Sequence, residues 1–475
     1  MTTRQKVALN VFSTFAVAVL AMSCVHTSAQ TVKMPVDPGV RAGAPGAGAP
    51  LKGLTADETA FFQDGLTRFI EVEVVKGGKN NGLGPRFNSN QCMSCHSQPA
   101  IGGSSSAQNP SIAVATLNGA KNVVPWFITP NGPVREVRFK RNSNGTNDGG
   151  VHDLFVITGR SDAPGCNIAQ PDFLPAGNPV TAMGGNSNII FRTPTPVFGS
   201  GLIEAIPDSA ILANASANAS QKAELGIYGH PNAHLSGNAN LSANDGTITR
   251  FGWKAQNKSL LMFAGEAYNV EMGISNELFP QKRDETPGCI FNATPDDTLN
   301  FTTASAPAST SNPAVLSDIE AFADFMRMLA PPAPASDTPS IVNGRNLFTT
   351  IGCVHCHTPS FTTGKMIASG SSTSPSAALS NQTVHLWSDL LVHHMGRDLA
   401  DGITQGAAGP DEFRTAPLWG VGQRIFFMHD GRTNNLVEAI EDHKSRESEA
   451  NKVVDHFNRL HPKEKQDIVN FLRSL

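Results

Sequence analysis

Charge is what this 475-residue chain has least of. Only 16% of its residues are Asp, Glu, Lys or Arg, against about a quarter in an ordinary soluble domain. The formal net charge is −4, which argues against a surface built to bind nucleic acid or another polyanion. No apolar run approaches the ~18–20 residues of a membrane-spanning helix. Seven cysteines are too few for a disulfide-dense mini-protein. Asn, Ser, Thr, Gly and Pro take the place of charge. The 43 glycines and 32 prolines describe a loop-rich globular chain, short of the ~25–30% Gly and Pro that accompanies disorder. Hydrophobic residues make up 40%, enough for a sizeable core. At roughly 150 residues per domain the length predicts two to four domains.

Arg4 and Lys6 precede an apolar stretch that is cleanest from Phe15 to Met22, and Thr27-Ser28-Ala29 closes it with small residues. This is the layout of a secretory signal peptide, residues 1–29, cut after Ala29. The alternatives are an N-terminal membrane anchor and a lipid-modified Cys24. Export to the periplasm or beyond places the other cysteines in an oxidising compartment. Residues 30–53 are rich in Pro, Gly and Ala and predict a flexible leader.

Thr55 and Glu58 form a capping box for a helix whose Phe61, Phe62, Leu66 and Phe69 share a face. Ser317 and Glu320 predict a second box, opening a helix over 318–329. The Pro-rich residues 331–340 then act as a linker, and a last helix starts near Pro462. Between about 100 and 315 the pattern predicts loops, short helices and a few strands. Two halves repeat one plan. Gly65-Leu66-Thr67-Arg68-Phe69 and Gly344-Arg345-Asn346-Leu347-Phe348 each precede a Cys-x-x-Cys-His. Phe191-Arg192-Thr193-Pro194 and Phe413-Arg414-Thr415-Ala416 follow later. Two similar domains are expected, 54–330 with a large insertion and 341–475.

Cys92-Met93-Ser94-Cys95-His96 and Cys353-Val354-His355-Cys356-His357 are both the motif of covalent haem attachment. Two thiols three positions apart on a helical turn reach the two vinyl groups of one porphyrin, and the following His lies under the iron. Two copies in an exported chain weigh against a redox dithiol and against half a zinc site. The metal ligands expected are therefore His96 and His357. Of the remaining cysteines, Cys166 and Cys289 sit in similar Pro-Gly-Cys settings and predict a disulfide, with two free thiols as the alternative.

The segment Phe413–Arg432, with Phe427-Met428-His429-Asp430-Gly431 near its end, resembles the Phe-His-x-Gly region of bacterial dihaem cytochrome c peroxidases. Gly82–Asn88, Arg250-Phe251-Gly252-Trp253-Lys254, Glu271-Met272-Gly273-Ile274 and Ser388-Asp389-Leu390-Leu391 resemble the related dihaem oxidoreductases, also called thiol oxidoreductases. The likeness runs from about 54 to 475. It implies a mainly α protein: two cytochrome c-like haem domains with long loop-rich insertions and a few short strands. It implies two covalently bound haem c groups, with calcium between the domains as a further cofactor that no motif assigns. It also implies a small redox protein or other electron donor and a small oxidant such as peroxide.

The peroxidases hold their second haem with a methionine on the helix after Phe-His-x-Gly. Here the matching position is His443, the expected distal ligand of the second haem; Met395 is the alternative. A histidine in place of a thioether lowers the potential. For the first haem, His152, His230, His234, Met183 and Met272 are all open. Glu204 is the expected catalytic acid. Arg192 and Arg414, at matching places in the two halves, are expected to bind haem propionates. Trp253, Trp387 and Trp419 fit the core, and any one lying between the haems would assist electron transfer. An electron-transfer cytochrome without chemistry of its own, or oxidation of a partner protein, stands beside the peroxidase-like enzyme. The "thiol" label finds no support, because thioether bonds would consume both Cys pairs.

Overall fold

The computed structural model describes residues 34–173, 182–183, 186–233, 248–299, 316–365 and 375–475, with only the backbone of 182–183 and 186–187. The expected signal peptide, Cys24, His234 and the side chain of Met183 lie outside the described residues. The helices that position the site are α1 (Ala56–Ile70), α2 (Cys92–Cys95), α3 (Leu260–Met272), α4 (Asp318–Met328), α5 (Pro339–Thr350), α6 (Leu436–Glu441), α7 (Asn451–Arg459) and α8 (Pro462–Ser474). Strands are few and short. β1 (Glu136–Phe139) pairs antiparallel with β2 (Val151–His152) and β3 (Ile189–Arg192), and β4 (Val392–His394) pairs with β5 (Glu412–Arg414). The chain is mainly α, as the resemblance implies, and rich in coil, as its composition predicts.

Helix α1 starts with the predicted box: the Thr55 hydroxyl accepts from the Glu58 amide, and the Glu58 carboxylate accepts from the Thr55 amide. The box expected at Ser317 does not form. Asp297 caps α4 instead, taking the amides of Asp318 (2.8 Å) and Ile319 (3.1 Å). A carboxylate twenty residues upstream reaches those orphan donors as well as a local hydroxyl would, and no local pattern signals it. At α8, His461 and Glu464 form a box.

Glycines set how the helices cross. α1 packs on α4, and α5 on α8. A Cβ on Gly65 would lie 2.2 Å from the Ala321 carbonyl, and one on Gly344 would lie 1.9 Å from the Asp467 carbonyl. Each glycine lets the partner backbone touch its helix. Downstream the relation recurs: a Cβ on Gly201 would lie 2.0 Å from the Arg327 carbonyl, and one on Gly422 2.1 Å from that of Arg473. The internal repeat is thus a repeat of close contacts. One apolar core gathers Phe62, Phe69, Phe87, Phe155 and Phe325, and a second gathers Phe348, Trp387, Phe457 and Phe471. Cys166 and Cys289 are joined in a disulfide across 123 residues.

The segment expected to be a flexible leader is ordered over 34–53. Its backbone hydrogen-bonds at Arg41 to Gly422, at Gly46 to Ala333, at Ala49 to Ala330 and at Leu51 to Met328. Asp37 pairs with Arg473 (Nη2 2.6 Å) and accepts the Leu436 amide (2.6 Å). Small residues and fixed proline φ let an extended strap lie flat against both helix pairs. Composition alone does not distinguish such a strap from a loose tail. No described helix is long and apolar enough to cross a membrane.

Candidate functional site

The first cavity, of about 180 Å³, is walled by Cys92, Cys95 and His96. The α2 turn is closed by the His96 amide donating to the Cys92 carbonyl, 3.1 Å. His96 Nδ1 bonds to the Gly103 carbonyl at 3.0 Å. Phe69 from α1 lies edge-on to the ring, 6.2 Å between centroids, which explains the phenylalanine four residues after the crossing glycine.

The second cavity, of about 230 Å³, repeats this furnishing with Cys353, Cys356 and His357. The His357 amide donates to the Cys353 carbonyl at 2.9 Å, His357 Nδ1 bonds to the Trp387 carbonyl at 3.0 Å, and Phe348 stands 5.9 Å away. Burial, and then the nearby His443, push the His357 imidazole down to about 4, so it is neutral and its Nε2 lone pair is free to ligate. His443 also lines this cavity. Its Nδ1 bonds to the Ala439 carbonyl of α6 at 2.6 Å. An Nδ1 fixed on a carbonyl is the arrangement that sets tautomer and ring orientation in metal-ligating histidines.

The cysteines are not activated nucleophiles. Burial pushes Cys95 and Cys353 up to about 12 and raises Cys92 and Cys356 as well. A redox dithiol needs a lowered thiol pKa, so these pairs fit covalent anchoring of a large apolar group and not disulfide exchange.

Residues 182–475 match the family described as "Di-haem oxidoreductase, putative peroxidase". The chain belongs to the di-haem oxidoreductase family. The matched region holds the second Cys pair, and the first lies ahead of it. No curated protein matches the chain. Among solved structures, hydrazine synthase of Kuenenia stuttgartiensis shares 18% identity over 33% of this chain and 55% of that one, at a TM-score of 0.23. A MauG-like protein associated with microbial copper homeostasis shares 20% over 37% and 55%, at 0.23. The diheme peroxidase BthA of Burkholderia thailandensis shares 16% over 48% and 65%, at 0.27. The chain spans between about half and two thirds of the length of these structures, and likeness at this level carries no argument.

Within this di-haem oxidoreductase, Trp253 borders both large cavities. Its indole donates to the Thr193 carbonyl at 2.8 Å, so it is held between them. Trp387 packs in the second core on Phe348 and Phe471. Trp419 closes on Gly199, where a Cβ would lie 2.6 Å from its ring.

Glu204 does not reach either cavity. Its Oε2 pairs with Arg327 Nε at 2.8 Å and its Oε1 accepts the Leu260 amide at 2.9 Å. It was the expected catalytic acid, and here both its oxygens are engaged in holding α3 and α4 together. Three carboxyls line the first cavity instead, Glu136, Glu266 and Glu271, none of them read from the sequence as the acid. Glu271 from α3 accepts from Asn88 Nδ2 at 2.8 Å, and Glu136 from β1 accepts from Arg138 Nε at 2.6 Å. Burial, and then Glu136, push Glu271 up to about 8. Burial opposes ionisation of Glu136, but Arg138 and Arg192 overcome it and hold that carboxyl below its ordinary value. One carboxylic acid and one carboxylate therefore share the cavity. The signal for Glu271 was present in Glu271-Met272-Gly273-Ile274; Glu136 carried none.

Arg192 borders the first cavity, but its charge is met by Asp401 (2.5 Å), which also takes Lys254 (3.1 Å). Arg414 borders the second cavity. Met272 lines the first cavity, and Met395 and His429 the second. His152 stacks on Phe139 and pairs with Asp148, and His230 pairs with Glu412; neither lines a cavity. Among the described residues, Cys356, Asp389 and His393 are the group of three close enough to share an ion. That thiol–imidazole–carboxylate set is unlike the all-oxygen shell of calcium.

Proposed function

We propose that this protein is an exported dihaem c-type oxidoreductase of peroxidase-like activity, with one haem c anchored covalently through Cys92 and Cys95 and another through Cys353 and Cys356. The observation that carries the reading is the pair of cavities, each walled by a half-buried cysteine pair and a histidine fixed through Nδ1, with Trp253 bordering both. When bound, the haems supply electron exchange and, at the first, a place for peroxide to react.

The chain's own residues divide the work. His96 and His357 are the proximal ligands. His443 is the second ligand in the second cavity; its anchored Nδ1 and its proximity to His357 support this over Met395. A cavity with two imidazole ligands carries electrons and binds no oxidant. In the first cavity, Glu271 holds a proton while Glu136 stays ionised beside it, so the pair can give a proton to one peroxide oxygen and take one from the other. That carboxyl pair favours an enzyme over a passive carrier. Trp253 borders both cavities and would lie on a route for an electron between them. A small redox protein or other donor delivers electrons to the second haem, and peroxide is the oxidant.

Trp253→Phe tests the reading. The variant is expected to keep both haems and to pass electrons from the second to the first more slowly after peroxide addition, measured by stopped-flow absorbance. An unchanged inter-haem rate contradicts the assignment.

A further inference from the structure

Buried arginines in this chain are met by acids: Arg327 by Glu204 and Asp324, Arg473 by Asp37, Arg192 by Asp401. Arg414 and Arg424 are the exception. Both border the second cavity and a smaller one beside Trp253. Arg414 spends only its Nε, on the Gly252 carbonyl at 3.0 Å. Arg424 Nε and Nη2 are buried without a hydrogen-bond partner, and no other described residue leaves two such atoms. The Arg424 guanidinium lies over the Trp253 ring, 5.6 Å from its centroid. Among the described residues neither forms an ion pair. Burial, and then repulsion from Arg424, hold Arg414 down to about 10, and burial does the same for Arg424.

Two adjacent buried cations without an anion are costly, because desolvation is not repaid by a partner. Guanidinium forks match a carboxylate in shape and charge. We propose that Arg414 and Arg424 together form a carboxylate site that seats a propionate of the second haem, turning that edge of the haem toward Trp253. The inference rests on the dihaem reading. It replaces Arg192, already neutralised by Asp401, with Arg424 as the partner of Arg414. Guanidinium charge held against the propionate offsets the carboxylate's negative field, which favours the reduced state, so the pair raises the potential that two histidine ligands lower. The same site has the chemistry to take a free carboxylate from solution, and the experiment separates the two sources.

The test is a spectroelectrochemical titration of the holoprotein, with and without sodium acetate, for wild type, Arg424→Gln and Arg424→Lys, after haem content has been measured for each. A wild type without two haems per chain sinks the dihaem reading itself. Given two haems, Arg424→Gln is expected to lower the midpoint potential of the low-spin second haem and leave the first unchanged. Arg424→Lys should restore most of the loss, and acetate should leave wild type unmoved. A wild-type potential that shifts with acetate assigns the site to a free carboxylate and overturns the proposal. So does an unshifted second haem in Arg424→Gln. If the Gln variant does not fold, the Lys variant decides: a small downward shift confined to the second haem supports the proposal, and none refutes it.

Discussion

At the scale of residues, the chemistry turns on which carboxyl keeps its proton. Glu271 is raised to about 8 by burial and by Glu136, so it is mostly protonated at neutral pH and available as an acid. That form is lost as pH rises through about 8. The rate at which peroxide reacts with the first haem should therefore be flat below that pH and fall above it. Glu271→Gln should lower the rate on the order of 10²-fold, the usual worth of a positioned acid or base, and remove the break; a pH series of stopped-flow traces checks both. The two Cys-x-x-Cys-His motifs were legible in the sequence because the haem attachment proposed for them would need those residues at that local spacing. The acid was not. Glu204 looked suitable from its place after Pro196, and nothing nearby announced Arg327, 123 positions on. Glu136 and Glu271 come from a strand and a helix that only the fold brings together.

At the scale of elements, the helix pairs explain why two glycines and two phenylalanines recur in the sequence. The glycine admits the crossing backbone, and the phenylalanine one turn later reaches the proximal histidine. Gly344→Ala places a Cβ 1.9 Å from the Asp467 carbonyl, which α5 and α8 can relieve only by separating. A loss of about 1–3 kcal/mol, the usual cost of overpacking a fitted contact, is expected, read as a lower thermal midpoint. An exposed control on the same helix, Asn346→Ala, should be neutral or slightly stabilising. The helices at 56–70, 318–328 and 462–474 were legible from apolar spacing and caps, although Asp297 and not Ser317 caps the second; α3 and α7 were not read from the sequence. The strap was not legible, since its order comes from backbone hydrogen bonds and Asp37, neither of which leaves a pattern.

At the scale of the whole molecule, low charge and abundant Gly and Pro suit a chain that wraps two large apolar cavities. The strap and the Pro-rich linker tie the two repeated halves across their seam, with Ala333 bound to Gly46 and Ala335 to Ser474. That places Trp253 between two sites that are alike in their cysteine pairs and in the histidine that follows each. They differ in what else they offer: a carboxyl pair in one, a second fixed histidine in the other. This asymmetry is the central claim. It is tested most directly by the optical and EPR spectrum of the holoprotein, reduced by one electron and then mixed with hydrogen peroxide. The account predicts two haems per chain, one of them low-spin with two histidine ligands and inert to peroxide. The other should change its spectrum on mixing and draw the stored electron from the first. Two low-spin haems that both ignore peroxide would contradict it.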